Sequence, residues 1–200
     1  MTSAPRWPPL CVPSVNLDAF LDAPQLSMGT SAAQASVPIV AAIGKAGIVS
    51  YAEVVASISA SSVGPDMRAN IDDFLETTET ALQVVGGAQR GKAVLILSPV
   101  DSALMRNTVY CLVEGDTDHR SIESAILEMV EQVAAYAPDY RLKQGVQFEV
   151  FGPDQPLHIP ETGKFIGTRV TVLLETGADI ITSAAKATAE RLTEKAGAPT

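Results

Sequence analysis

The sequence predicts an α+β fold, one mixed β-sheet with helices packed on one face. Three observations predict it. Alternating, β-branched stretches are interleaved with stretches whose apolar residues recur at helical spacing. Strand follows strand at several points without an intervening helix, which a purely βαβ succession would not allow. No internal repeat and no long linker divides residues 16–200, so these form a single domain behind a proline-rich segment, 1–15.

Pro5, Pro8, Pro9 and Pro13 hold the first segment extended or loop-like, and a short amphipathic stretch follows around Asp18–Leu21. The run from Met28 to Pro38 reads as a short strand, a small-residue turn, and a helix starting at or just after Ser31. That helix should stop near Gly44–Gly47. Ile48–Ser62 alternates and is rich in β-branched residues, so it predicts a strand. Gly64-Pro65-Asp66 makes a turn and cap for a helix over about Met67–Val85. Ile71, Phe74, Leu75, Thr78, Leu82 and Val85 share one of its faces, and Asp72, Asp73, Glu76 and Glu79 lie outside or near its start.

Strands over Lys92–Pro99 and Asn107–Val113 come next, as potential sheet neighbours. Asp116-Thr117-Asp118 opens another helix, with Ile122, Ile126, Met129, Val130, Val133 and Ala134 at helical spacing. Two strands remain, Tyr140–Phe151 and Phe165–Glu175, joined by a loop through Pro153, Pro156 and Pro160. A final helix covers about Asp179–Lys195.

Composition narrows the function. The 200 residues are 46% hydrophobic, enough for a sizeable core, and carry a formal charge of −9. An acidic chain without a basic cluster is a poor ligand for a phosphate backbone, so no nucleic-acid partner is expected. The start lacks the layout of a signal peptide, and no apolar run is long enough to span a bilayer. Cys11 and Cys111 are far apart and make neither a disulfide framework nor a zinc motif. No metal is expected, and a reducing cytoplasm is the expected location.

Few residues carry chemistry on their own spacing. Ser31, at a strand–helix junction, could cap the helix or act as a nucleophile where free amides favour an anion. Serine needs a base, and no Ser-His-Asp order is evident. His119 and His158 read as surface histidines, and Tyr51 and Tyr110 as sheet residues. Gly86-Gly87-Ala88-Gln89-Arg90-Gly91-Lys92 imitates a phosphate loop. However, Ala93 stands where a Ser/Thr is needed, and the loop leaves a helix and enters a strand, so it reads as a helix stop and turn.

Longer blocks carry a resemblance. Thr30-Ser31-Ala32-Ala33-Gln34-Ala35-Ser36-Val37-Pro38 resembles the nucleophile segment of acylating acetaldehyde dehydrogenases, which work beside 4-hydroxy-2-oxovalerate aldolases. Gly64-Pro65-Asp66-Met67-Arg68-Ala69-Asn70-Ile71-Asp72, Met105-Arg106-Asn107-Thr108-Val109-Tyr110 and Tyr140-Arg141-Leu142-Lys143-Gln144 are similar to further blocks in the same order. The resemblance covers nearly the whole chain. It implies a catalytic and dimerisation domain like the C-terminal domain of glyceraldehyde-3-phosphate dehydrogenase-like enzymes.

The departures fall on the chemistry. Ser31 occupies the position of the family's cysteine, and Asn107 that of the aspartate assisting it; an amide is no general base. Gly177-Ala178-Asp179 replaces an Asn-Leu-Asp whose asparagine lies near the nicotinamide. No strand–G-x-G-x-x-G–helix unit occurs, so the cofactor domain is expected to be absent, with no NAD or other cofactor bound. A dehydrogenase is therefore not expected.

By the same resemblance, Asn107 and Gln34 would face Ser31, either polarising a carbonyl or simply satisfying buried groups. Arg106, Arg68 and Asn70 could hold an anionic or carbonyl-bearing ligand, unless the arginines pair with local acids. In the relatives the final helix packs on the cofactor domain. Here the face made by Ile181, Ala184, Ala185 and Leu192, with Thr188, would need another cover, most simply in a homodimer or higher homo-oligomer.

Three functions follow. One is a repurposed, cofactor-independent enzyme performing a non-redox step (cyclisation, isomerisation, decarboxylation or hydrolysis) on a carbonyl or acyl metabolite, and this is the reading the sequence favours. A second is a non-catalytic scaffold or regulator of an aldolase-type partner. The third is a decayed paralogue without selected activity.

Overall fold

The structure is a computed structural model that describes residues 8–65, 69–160 and 163–197. It begins with a short helix α1 (Pro13–Asn16) and a 3-10 turn (Leu17–Phe20). Helix α2 (Ser31–Gly44) then leads to strand β1 (Val49–Ser59), helix α3 (Ile71–Val84) and strands β2 (Gly91–Ser98) and β3 (Leu104–Glu114). Helix α4 (His119–Ala134) precedes β4 (Arg141–Leu142), β5 (Gln147–Phe151), β6 (Leu157–Ile159), β7 (Gly163–Phe165) and β8 (Gly167–Gly177). Helix α5 (Ile180–Gly197) ends the described chain.

The main sheet has the order β2-β1-β3-β8-β4, with β5 also on β8. The expected adjacency of the second and third strands is corrected here, because β1 lies between them. β1 and β2 are parallel and joined through α3, whereas β3 runs antiparallel along the other edge of β1. A parallel pair needs a crossover, and α3 supplies it. The predicted strand Tyr140–Phe151 is broken around Gly145 into β4 and β5, whose pairings with β8 differ in register. The proline loop before β8 contains the hairpin β6–β7.

The described helices α2 to α5 pack their buried residues against one side of the sheet, as alternation dictates. Ala52, Val54 and Ile58 of β1, Val109, Cys111 and Val113 of β3, and Val170, Val172 and Leu174 of β8 join one core with Ile39, Ile43, Leu82, Ile122 and Ile126. Gly86 lets the end of α3 approach α2. A Cβ there would stand 2.5 Å from Leu82 O and 3.1 Å from Val40 Cγ1.

Among the described residues, the opposite sheet face has its apolar cover at one corner, where Phe151, Leu157, Ile159 and Phe165 pack on Tyr51 and Leu112. Elsewhere it presents Val55, Val94, Ile96, Thr108 and Leu173, and Ile96 is 48% exposed.

The expectation for the final helix is also corrected. Its inward stripe is Ile180, Ala184 and Thr188, buried within the chain where α5 packs on α2 and α1. Ala185 is exposed, one residue round from that stripe. Lys195 Nζ bonds Asp22 Oδ1 at 2.6 Å and Arg191 lies 3.7 Å from Asp18, pinning α5 to the N-terminal segment. The uncovered surface is therefore the sheet face. No helix among the described residues is long and apolar enough to cross a membrane.

Candidate functional site

The N-terminus of α2 is built on Thr30, whose extended backbone and side chain make it the cap. Its Oγ1 accepts from Ala33 N at 3.0 Å and lies 2.8 Å from Thr78 Oγ1. Thr78 donates to Phe74 O at 2.7 Å, so Thr30 donates to Thr78 while accepting from Ala33. Ser31 is thus the first helical residue and not the cap. Two adjacent hydroxyls hid this in the sequence, since either suits a cap.

Gln34 is fully buried, and its amide nitrogen donates to Cys11 O (2.8 Å) and Met28 O (2.7 Å). Those bonds tie the N-terminal segment to α2, leaving only Oε1 without a partner. Tyr140 Oη donates to Ala35 O at 2.7 Å, fastening the same helix to the segment before β4.

Asn107 lies on β3 between Ala56 and Leu174 and is 0% exposed. Neither its Nδ2 nor its Oδ1 has a hydrogen-bond partner. It faces the helix side of the sheet, the side on which α2 packs. Most buried amides are paired, so this one is an exception in need of a cause.

Arg106, one residue earlier, points to the other face. There its Nε meets Glu175 Oε1 at 3.1 Å, beside Lys143 Nζ on the same oxygen at 3.0 Å. Arg141 takes Oε2 at 2.9 Å. These three cations hold the Glu175 carboxyl down at about pH 2, despite its burial. Glu175 was not singled out in the sequence. Its only signal was a charge in the β-branched run of β8. Asn70 is exposed at the start of α3, and Arg68 lies outside the described residues.

The remaining candidates stay apart. His119 stacks on Phe148 with centroids 4.4 Å apart, and His158 is exposed on β6. Cys111 is sealed in the core, where burial pushes its thiol up to about 12, and burial raises the Cys11 thiol too. A thiol so protonated is a weak nucleophile. Gly86 and Gly87 form the helix stop and turn read from the sequence, with Gly87 N donating to Gln83 O. A cleft of about 430 Å³ opens on the uncovered sheet face, lined by Tyr51, Glu53, Tyr110, Leu112, Leu157 and Arg169. Tyr51 Oη donates to Glu53 Oε2 there at 2.5 Å. Ser31, Gln34 and Asn107 do not line it.

Residues 31–181 match the family model for the dimerisation domain of prokaryotic acetaldehyde dehydrogenase. The chain belongs to this family. A relative from Mycolicibacterium vanbaalenii, named a probable inactive acetaldehyde dehydrogenase 1, is 55% identical, over 92% of this chain and 62% of its own length. Acetaldehyde dehydrogenase 1 of Mycobacterium ulcerans is 50% identical over 94% of the chain and 60% of the relative. The Pseudomonas putida enzyme is 49% identical over 93% and 64%. The chain therefore spans about three-fifths of the length of these acetaldehyde dehydrogenases. Among solved structures, aspartate semialdehyde dehydrogenase II from Vibrio cholerae, in complex with ASA, superposes with a TM-score of 0.58 at 15% identity. That superposition covers 95% of this chain and 66% of the other. It shows the shared α+β fold of the acetaldehyde dehydrogenase dimerisation domain.

Proposed function

We propose that this chain is a catalytically silent member of the acetaldehyde dehydrogenase family, acting through its surface. It self-associates over the uncovered sheet face and serves as scaffold or regulator for a partner. The family resemblance makes an aldolase-type protein the first partner to test. One observation carries this reading. Asn107 is sealed on the helix side of the sheet while Arg106 is engaged by Glu175 on the other, so the two cannot converge on one ligand. Gln34, spent on two backbone carbonyls, supports the same reading. So does the name of the Mycolicibacterium relative, though that name is the relative's own. Two free, buried cysteines fit a reducing compartment.

A repurposed enzyme is the second reading, favoured by the unpartnered amide of Asn107. It would present one donor and one acceptor to a carbonyl or acyl ligand bound without NAD.

Sedimentation across a concentration series tests the first reading, paired with Ile96→Glu/Val94→Glu on the uncovered face. A reversible dimer or larger assembly that the double variant reduces to a folded monomer is expected. A monomeric wild type at all concentrations overturns self-association. The two readings separate in the gene's own host. If a folded Ser31→Ala/Asn107→Ala variant complements a deletion as well as wild type, the reading of a catalytically silent chain stands. If the variant fails while wild type restores a missing metabolite, the enzyme reading takes its place.

A further inference from the structure

We infer that the cleft beside the β6–β7 hairpin binds a small primary amine with an apolar body, its ammonium held by Glu53. Glu53 of β1 stands directly across from Tyr110 of β3, and Tyr51 lies two residues before it on the same face of the sheet. Tyr51 Oη donates to Glu53 Oε2 at 2.5 Å, and among the described residues the carboxylate has no other partner. Lys92 is opposite Glu53 in the β1–β2 register without bridging to it. Arg169 is engaged by Glu149 and by the ring of Phe151, 5.7 Å away. The charge left without a counter-ion in the cleft is therefore the carboxylate's. A half-buried charge of this kind carries a desolvation cost, and a cation bound beside it offsets that cost.

The second observation is the shape and lining of the cleft. Its volume of about 430 Å³ falls in the range of small-molecule sites, far larger than a bare ion needs. Val55 and Leu112 of the sheet and Leu157, Ile159 and Pro160 of the hairpin segment give it mainly aliphatic walls. One unpaired carboxylate set among aliphatic side chains selects a cation carried on a hydrocarbon. The rings of Tyr51 and Tyr110 favour the same charge, because an aromatic face attracts an ammonium. The Tyr110 hydroxyl has no partner among the described residues and supplies an acceptor for a second N–H of the amine.

This site goes beyond self-association and does not rest on it. Val94 and Ile96, assigned above to the contact between copies, do not line the cleft. Tyr51 and Tyr110, read from the sequence as ordinary sheet residues, acquire a role as the aromatic flank of the carboxylate.

Titration of the 15N-labelled full chain with 4-phenylbutylamine and, separately, with 4-phenylbutyrate tests this, since the two probes carry opposite charges on the same body. The amine should shift the amide signals of Glu53, Tyr110 and Leu157 saturably, with a Kd of about 0.1–1 mM. The carboxylate should bind about tenfold more weakly or not at all. Glu53→Gln, which keeps an acceptor for Tyr51, should abolish the preference for the amine. Leu157→Ala should weaken both probes alike. No saturable shift with the amine, equal affinity for the two probes on wild type, or a preference that survives in Glu53→Gln overturns the proposal.

Discussion

Arg106 and Asn107 are consecutive residues whose side chains lie on opposite faces of one sheet. Arg106 is engaged by a carboxylate, whereas Asn107 is sealed without a partner. A strand alternates its side chains, so a motif contiguous in sequence need not be contiguous in space.

Asn107→Leu should stabilise the protein. Leucine has the same number and branching of side-chain heavy atoms, and it removes two buried polar atoms that have no partner. The expected gain is about 1–2 kcal/mol in urea unfolding, with the midpoint moving and the slope unchanged. A loss of similar size would mean that the amide holds something in solution.

Thr30→Ala and Ser31→Ala should differ sharply. The first removes the cap of α2 and its bond to Thr78, costing about 1–2 kcal/mol. The second should stay within about 0.5 kcal/mol. Equal losses in chemical denaturation would contradict the assignment of the cap.

Gln34→Ala should loosen the N-terminal segment, because the carbonyls of Cys11 and Met28 lose their donor. About 1–3 kcal/mol should be lost. Labelling by a thiol reagent should then quicken at Cys11 and stay slow at Cys111, read by mass spectrometry of the peptides.

Glu175 sets an acid limit. Its carboxyl is depressed from 4.5 to about 2 in the folded protein, so the unfolded chain binds the proton more readily between those values. Its contribution is therefore complete above about pH 4.5 and is lost as pH falls toward 2. Stability measured from pH 6 to 2 should fall through that window in the wild type. Glu175→Gln should be less stable at neutral pH and should lose that part of the pH dependence.

Much of this fold was legible because periodicity reports burial. The apolar spacing of α3 and α4 and the alternation in β1 and β8 each follow from having one wet and one dry side. Strand order was less legible, because nothing in Lys92–Pro99 or Asn107–Val113 records that β1 lies between them. That order is fixed by the crossover through α3 and by pairings distant in sequence. The apolar face read for α5 included Ala184 and Thr188, which are buried, but took Ile181 for Ile180 and added the exposed Ala185, because a helix so rich in alanine marks its faces weakly. Blocks around Ser31 and Asn107 revealed the family. The engagement of Arg106 by Glu175 depends on contacts between β8 and segments far from it in sequence, which no local motif encodes.

The placing of β8 has a consequence for synthesis. β3, β4 and β5 all lean on this strand, and it is the last of the described strands to leave the ribosome. Until Gly177 has emerged, β3 has one bare edge, and β4 and β5 have no sheet to join. A nascent chain stalled before β8 thus exposes unpaired strand edges, a setting in which chaperones bind and neighbouring ribosomes' products can cross-pair.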